Sequence, residues 1–493
     1  MEGGTTMRSR STLTAALVVL VGSTWLYSCG SENDGNGAGS TFQPTDDAIT
    51  NAIKNESQLV PNLMDDMQIS TADGVVTLGG SVPNLLAEQK VLRIARSTRG
   101  VRSVIDELTV VPEKRSDAAI KADVRRALNG DVATEAYGLD VDVNDGIVRL
   151  TGTVKSWAER LLASDIVRST KGVVGIEDYI TVTNKPRSDE QIKADVVSRL
   201  RADAWIDDKM VDVEVHDGAA TLSGAVGSAE EKMRAADDVL LMGAKDVNTE
   251  QLKVEWSVRN AMQQDQDQVA VPDSTIRRAV MDAESLDPRV RSSNVETSVD
   301  NGVVTLMGRV RDLRARSSLV EDATNTTGVL GVVDSLAFEG ARSAATDTLI
   351  EARVKQALKR DPYVGSYDLG VTVAKGAVTL TGTVGSEYEK LEVQRTVEKQ
   401  GDVTAVTNNI DVDTDAPSRS DQEIRSTLEQ ELHWSPWLAD ADVHVSVQEG
   451  IVTIKGSVHG WFERNLLQEA AKEAGARGVL TELDVSVRHA STT

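Results

Sequence analysis

Few residues in this chain could do covalent or metal chemistry. Among 493 residues there is one cysteine, Cys29, so no intramolecular disulfide can form. A structural zinc site needs several Cys or His ligands, and the sequence offers no such set. The five histidines, His216, His433, His444, His459 and His489, share no HExxH or other ligand spacing. No Gly-x-Ser-x-Gly nucleophile turn and no phosphate-binding loop occurs. Paired carboxylates such as Asp65-Asp66 and Asp237-Asp238 read as the solvated surface of an acidic protein. The expectation is no enzyme, no cofactor and no metal.

Binding chemistry is better represented. Lys90, Arg93, Arg96 and Arg99 lie along one helical stretch, and Arg102 stands just beyond it. Ala87, Val91, Ile94, Ala95 and Thr98 give that stretch an apolar face. The basic set is either an ordinary solvated face, paired with acids of a neighbouring segment, or a contact for anionic lipid headgroups. A headgroup contact would gain about 1 kcal/mol per Lys or Arg at an anionic surface. Trp157 and Trp461 each follow a turn glycine by 11 residues, and Trp434 and Trp437 lie near a helix end, as does Trp205. Core or rim packing is the plain reading for all of these. Exposed, Trp434, Trp437 and Trp461 would form a patch for a partner or lipid. The net charge of −24 keeps the surface soluble and disfavours nucleic acid, which needs clustered Lys and Arg. Aromatic residues make up 3% of the chain, so its cores must be aliphatic.

The elements that position these residues begin with an address. Arg8 and Arg10 precede an apolar run from Leu13 to Val21, the pattern of a secretory signal whose start could be Met7. Leu26-Tyr27-Ser28-Cys29 resembles a bacterial lipobox, although Tyr27 is larger than usual there. The resemblance implies a lipidated Cys29. Residues 30–43 open with a Gly/Ser/Asn run that reads as a flexible tether. Gly30 follows the cysteine, which by the sorting rules of such signals implies the periplasmic face of the outer membrane of a Gram-negative bacterium.

Self-similarity dominates the rest. One phrase occurs six times, as Asp73-Gly74-Val75-Val76-Thr77-Leu78 and again at Gly146, Gly218, Gly302, Gly376 and Gly450. A second glycine recurs at Gly80, Gly152, Gly224, Gly308, Gly382 and Gly456, with a valine two residues later. Each copy opens on a helical spacing, as in Ile120, Val124, Ala127 and Leu128. Alternating apolar residues then flank the Asp-Gly pair, which marks a hairpin whose glycine takes a positive φ. Gly152 shares its face with Val148, Leu150 and Val154, and the spacing predicts that it lets a helix approach the sheet.

Ser156 to Glu159, Ser228 to Glu231 and Ser386 to Glu389 predict capped second helices, and Ser188 to Gln191 and Ser420 to Glu423 predict capped first helices. Gly100, Gly172, Gly328 and Gly401 sit where second helices should end. A last apolar strand, such as Ile176 to Val182, closes the unit. The fold class is therefore α+β: a tandem array of six small α-β-β-α-β modules. Each is a three-stranded mixed sheet covered by two helices, and each should be marginal alone.

At this point the chain resembles the BON family of bacterial envelope domains. The shared features are the helix-strand order, the Asp-Gly-x-Val-Thr-Leu-x-Gly-x-Val phrase and the later Gly-Val. The last copy is nearest, with Glu449-Gly450-Ile451-Val452-Thr453 and Gly460-Trp461-Phe462-Glu463-Arg464. Lys375 and Glu449 depart from the turn Asp, and Gly243-Ala244 from Gly-Val. The domain plan is a signal over 1–29, a tether over 30–43, and modules at 44–112, 115–184, 187–254, 272–340, 345–414 and 418–489. A 255–271 linker reads as a hinge between two three-module halves. The resemblance implies osmotic-stress protection, envelope integrity and phospholipid binding, with no catalytic residues. The partners expected are an anionic phospholipid surface and envelope proteins, with no nucleic acid. The alternative is a periplasmic protein-binding scaffold or chaperone-like spacer without lipid contact. With 14 residues of tether, module one would stay near the membrane and the Trp-rich module six would be free to meet a partner.

Overall fold

A computed structural model describes residues 44–60, 63, 66–131, 133–134, 137–183, 187–256, 271–290, 294–339, 344–413, 419–439 and 441–485. The signal, Cys29, the tether and residues 257–270 of the linker lie outside the described residues. Module one runs α1 (Asp46–Ser57), β1 (Gln68–Ala72), β2 (Val75–Val82), α2 (Leu85–Ser97) and β3 (Ser103–Val110). Module two follows with α3 (Asp117–Gly130), β4 (Asp140–Asn144), β5 (Ile147–Val154), α4 (Trp157–Arg168) and β6 (Gly175–Val182). Module three has α5 (Asp189–Ala202), β7 (Val211–His216), β8 (Ala219–Val226), α6 (Ala229–Leu241) and β9 (Asp246–Val254). Module four has α7 (Asp273–Leu286), β10 (Asn294–Asp300), β11 (Val303–Val310), α8 (Leu313–Thr324) and β12 (Gly331–Phe338). Module five has α9 (Ala344–Arg360), β13 (Gly370–Ala374), β14 (Ala377–Val384), α10 (Glu387–Glu398) and β15 (Ala405–Val412). Module six has α11 (Asp421–Trp434), β16 (Asp442–Gln448), β17 (Ile451–Val458), α12 (Trp461–Glu473) and β18 (Gly478–Val485).

All six sheets have three strands with the second in the middle. The hairpin pair is antiparallel and the outer pair parallel, as in β1-β2 and β2-β3. A parallel partner needs a crossover, and the second helix supplies it. Val76, Leu78 and Val82 of β2 are buried beneath Ile49 and Ile53 of α1 and Val91 and Ile94 of α2. The alternation read from the sequence thus sets which face the helices cover.

One contact recurs in every module. The turn residues take positive φ in pairs, Asp73 at 50° with Gly74 at 71° and Lys375 at 54° with Gly376 at 78°. This leaves both turn N–H groups pointing one way. A carboxylate in the first turn of the first helix accepts both, at 2.7–3.0 Å: Asp46, Asp117, Asp189, Asp273 and Asp421, each the first residue of its helix, and Asp347, the fourth residue of α9, do so. The turn is thereby pinned to the start of the first helix. Lys375 and Glu449 tolerate the loss of the turn Asp because only their N–H groups are used.

Two glycine expectations are corrected. Gly152, at φ 133°, meets the preceding strand rather than a helix: a Cβ there would stand 3.0 Å from Leu139 Cδ2. At Gly80, Gly224, Gly308 and Gly456 a Cβ would run into the carbonyl of Asp66, Met210, Asn294 or Asp442. The recurring glycine lets the hairpin's two strands cross closely at a positive φ. At the end of α10 the left-handed residue is Asp402, at φ 69°, and not Gly401. The Asp402 N–H donates to the Asp312 carboxylate at 3.1 Å, which fixes that conformation. Of the capping pairs, Ser188/Gln191 and Ser420/Glu423 are reciprocal boxes. In α4 the Glu159 carboxylate instead accepts from the Lys155 N–H at 2.6 Å.

The modules pack on one another through their helices and helix ends. Three pairs share one hydrogen bond: a backbone N–H just before the second-helix glycine donates to the last carbonyl of a first helix. Arg99 donates to Trp434 at 3.0 Å, Lys171 to Arg360 at 2.7 Å and Thr327 to Ala202 at 2.8 Å. These bonds pair modules one with six, two with five and four with three. A second contact relates modules four, five and six. The N–H of the first residue of a second helix donates to a neighbour's loop carbonyl, Trp461 to Val329 at 2.9 Å and Leu313 to Val403 at 2.7 Å. Glu387, the equivalent residue of module five, closes the cycle with Arg477 of module six at 3.9 Å. Modules one and three meet through Arg96–Glu230 at 3.0 Å, modules two and three along α4 and α6, and modules one and two share one apolar cluster. The body is two rings of three modules joined in three pairs. Each ring holds three modules consecutive in sequence.

The clamp can be tested inside one module. Asp347→Ala leaves two turn N–H groups without their acceptor and should lower unfolding stability by roughly 1–2 kcal/mol. Lys375→Gly removes a strained positive-φ side chain and should be neutral or stabilising. Urea unfolding of the two variants checks the contrast.

Candidate functional site

The basic helix is built as read. The Asn84 side chain caps α2 by accepting from the Ala87 N–H at 2.8 Å, and Ala87, Val91, Ile94, Ala95 and Thr98 are buried. Its cations, however, reach other modules. Lys90 pairs with Glu473 of module six at 2.5 Å, and Arg96 with Glu230 of module three. Arg99 is buried, donates from Nη1 to the His433 carbonyl at 2.9 Å and stacks 3.8 Å from the Trp256 ring. Arg93 and Arg102 are the exposed members of the set. Neighbouring acids therefore take Lys90 and Arg96.

The tryptophans of module six pack on other modules, Trp437 buried and Trp434 and Trp461 half-buried, and the expectation of a free aromatic patch is corrected. Trp437 is 7% exposed, and its indole N–H donates to the Trp205 carbonyl of module three at 3.0 Å. Trp205 stands edge-on to Trp437 at 4.8 Å and to Phe462 at 4.6 Å, and donates to Asn325 Oδ1 at 3.1 Å. Trp434 packs against the cluster of modules one and two, and Trp461 against the core of module four. These large flat side chains fill the gaps between modules, where the aliphatic cores leave aromatic-sized space.

Charge is buried at the seams. Glu56 of α1 and Glu431 of α11 hold the same place in their helices and hydrogen-bond to each other between modules one and six. Burial and then mutual repulsion push the Glu56 carboxyl well above the usual carboxylate range, and burial raises Glu431 despite Lys90. Burial alone would raise Glu473 too, but Lys90 brings it below its ordinary value. Between modules three and four, Asp238 is 2% exposed and bound to Arg199 at 2.8 Å. Its carboxyl is pushed up to about 7 by burial and then by neighbouring Asp203. The reading of Asp237-Asp238 as solvated surface is thus corrected for Asp238. Asp65 lies outside the described residues, and Asp66 is exposed.

The seam acids make stability depend on pH. Glu56 and Glu431 keep a proton in the folded protein that the unfolded chain releases near pH 4.5. The stability they contribute is full below that value and is lost as pH rises through the raised folded value. Glu56→Gln should therefore flatten the fall in unfolding midpoint between pH 5 and pH 8. Thermal melts at both values would show it, and an unchanged slope would locate the dependence elsewhere.

Among the described residues, no group of three or more His, Cys, Asp or Glu is arranged to hold a metal, and no helix is long and apolar enough to cross a membrane. The sequence reading missed the clamp aspartates, although each stands 28 or 29 residues before its turn glycine in all six copies. It also missed Glu56 and Glu431, whose shared position was visible but whose meeting was not.

The fold and its seams define a class of tandem α+β repeat proteins whose unit is an α-β-β-α-β module. The BON domain matches at residues 45–112, 116–184, 188–255, 272–340, 346–414 and 420–486, and the chain belongs to the BON domain family. It is similar to Osmotically-inducible protein Y of Escherichia coli (strain K12), with 29% identity over 141 residues, 27% of this chain and 70% of that protein. Two solved structures of CdsD, a structural protein of the type III secretion system of Chlamydia trachomatis, also align. They cover 43% and 44% of this chain and 92% and 100% of theirs, at 16% and 15% identity. Their TM-score is 0.12, at which nothing about arrangement follows.

Proposed function

We propose that this is a non-catalytic cell-envelope protein, held by lipid on Cys29 at the periplasmic face of the outer membrane, that supports envelope integrity under osmotic stress by contacting anionic phospholipid. The observation that carries the reading is the six-fold match to the BON domain along the chain. The similarity to an osmotically inducible protein points the same way. Lys90, Arg96 and Arg99 hold modules together, so lipid contact falls to the anchor and to the exposed Arg93 and Arg102 of module one. Two cations give only a weak, salt-sensitive attraction, and the anchor supplies the rest.

A second reading, a protein-binding scaffold, draws on a different surface. Ile105, Val333 and Leu480 occupy one place on the outer strand of modules one, four and six, opposite Thr77, Thr305 and Thr453, and all three are exposed. Vesicle flotation separates the two readings. The mature protein carrying Cys29→Ser should float weakly with anionic vesicles at low salt, and Arg93→Glu with Arg102→Glu should abolish this. Equal flotation of both forms removes the arginines from the contact, and no flotation at low salt favours the scaffold. In cells, Cys29→Ser should move the protein from the detergent phase to the aqueous phase, and a wild-type protein already aqueous contradicts the anchor.

A further inference from the structure

Each module ends on an outer strand whose far edge pairs with no other strand among the described residues. The N–H groups of Val111, Thr183, Glu339 and Asp413, just past four of these strands, donate into the sheet. Strand N–H groups alternate in direction, so those three residues earlier, on Leu108, Ile180, Leu336 and Ile410, point out of the open edge. Each is covered by the side chain two residues before it: Asp106 accepts at 3.0 Å, Asp178 at 2.9 Å, Asp334 at 3.0 Å and Asn408 at 3.2 Å. In module three Asn248 accepts from the Glu250 N–H at 2.8 Å. An open edge is a template for another strand, and a donor already engaged cannot serve it.

Module six is the exception. Thr481 holds the place of the Asp or Asn in β18, and its hydroxyl accepts from Arg464 of α12 at 3.1 Å instead. Among the described residues no side chain accepts from the N–H of Leu483. Gly456 stands beside Leu483 as Gly80 stands beside Leu108, which places that N–H on the open edge. β18 is also the one outer strand with no buried residue. On its outward face Leu480 is 58% exposed, and Ile451 of the neighbouring β17 is 44% exposed. The charged groups on that face of the sheet are Asp442, Lys455, Glu482 and Asp484, with Lys455 bound to Glu482 at 2.7 Å, so acid is in excess.

The geometry points to β18 as a docking edge for an extended segment of a partner protein in which apolar and basic residues alternate. The inference rests on the scaffold reading above and names the chemistry of its partner. The backbone of an added strand takes the Leu483 N–H, and every second side chain then lies on the outward face of the sheet. There an apolar residue meets Leu480 and a basic one meets Asp484. A second copy of the chain is a poor occupant. Two β18 strands side by side would bring four carboxylates onto one face, between chains of net charge −24.

Fluorescence anisotropy on the mature protein carrying Cys29→Ser tests this, with a dye-labelled octapeptide of alternating valine and lysine as the probe. Saturable binding is expected. The same peptide N-methylated at every amide keeps its charge but cannot pair as a strand, and should bind at least tenfold more weakly. Thr481→Asn gives β18 the side chain found in module five without changing the charge, and should weaken binding of the plain peptide as much. Thermal melts separate lost binding from lost folding. Absence of peptide binding to the folded protein overturns the inference. So does binding that N-methylation or a folded Thr481→Asn leaves unchanged. Dimerisation that Thr481→Asn abolishes, read by light scattering, would give the edge to a second copy and overturns the partner assignment. Vesicle flotation, which decides the scaffold reading, does not involve β18, so the two can fail separately.

Discussion

The carboxylate that grips both N–H groups of the hairpin turn sets the geometry of each module. A type I′ turn aims two backbone donors in one direction, and an exposed pair of donors has no structural consequence by itself. When an aspartate in the first turn of the first helix accepts both, the helix start is fixed relative to the hairpin. Ile49 and Ile53, or Ile120 and Val124, then fall on the buried side of the sheet. In modules three, five and six the last carbonyl of that helix is the one a neighbouring module's N–H reaches. The same short contact thus governs packing inside a module and the position of the seam between modules.

A module of about 70 residues buries only about 60% of its unfolded surface and is marginal alone. Ring and pair contacts supply further burial at the helices' second face. The seams carry tryptophans and charged groups because they differ from the cores in kind. Within a module, repeated aliphatic residues fill a repeated space. Between modules each pair has its own gap, filled by Glu56 and Glu431 in one pair and by Arg199, Asp203 and Asp238 in another. Breaking such a buried charge network by removing one partner is costly, whereas the intact network adds little net stability and more to specificity of pairing.

The module was legible because its signals are local. Asp-Gly between alternating runs, Ser before Glu and Gly after a helix each report on neighbours in sequence, and repetition raised weak signals to a firm reading. Gly152 was identified as special but for another reason: its φ depends on how closely two strands cross, which residue type alone does not state. The seams were illegible for a deeper reason. Lys90 and Glu473 are remote in sequence, and helical periodicity says only that each lies on a face away from its own sheet. A face away from the sheet looks the same in sequence whether it meets water, lipid or another module. Trp434, Trp437 and Trp461 present the same ambiguity, and only their partners resolve it.

The claim on which the account rests is that the first and last modules meet, closing the six into one body. Zero-length carbodiimide coupling reads this directly, since it joins only amines and carboxylates already in contact. Lys121–Asp142, at 2.9 Å within module two, and Lys455–Glu482, at 2.7 Å within module six, should couple in any arrangement and serve as internal standards. The account predicts that monomeric protein also yields a peptide joining Lys90 to Glu473. Recovery of both standards without that peptide would mean that modules one and six stand apart, and would contradict it.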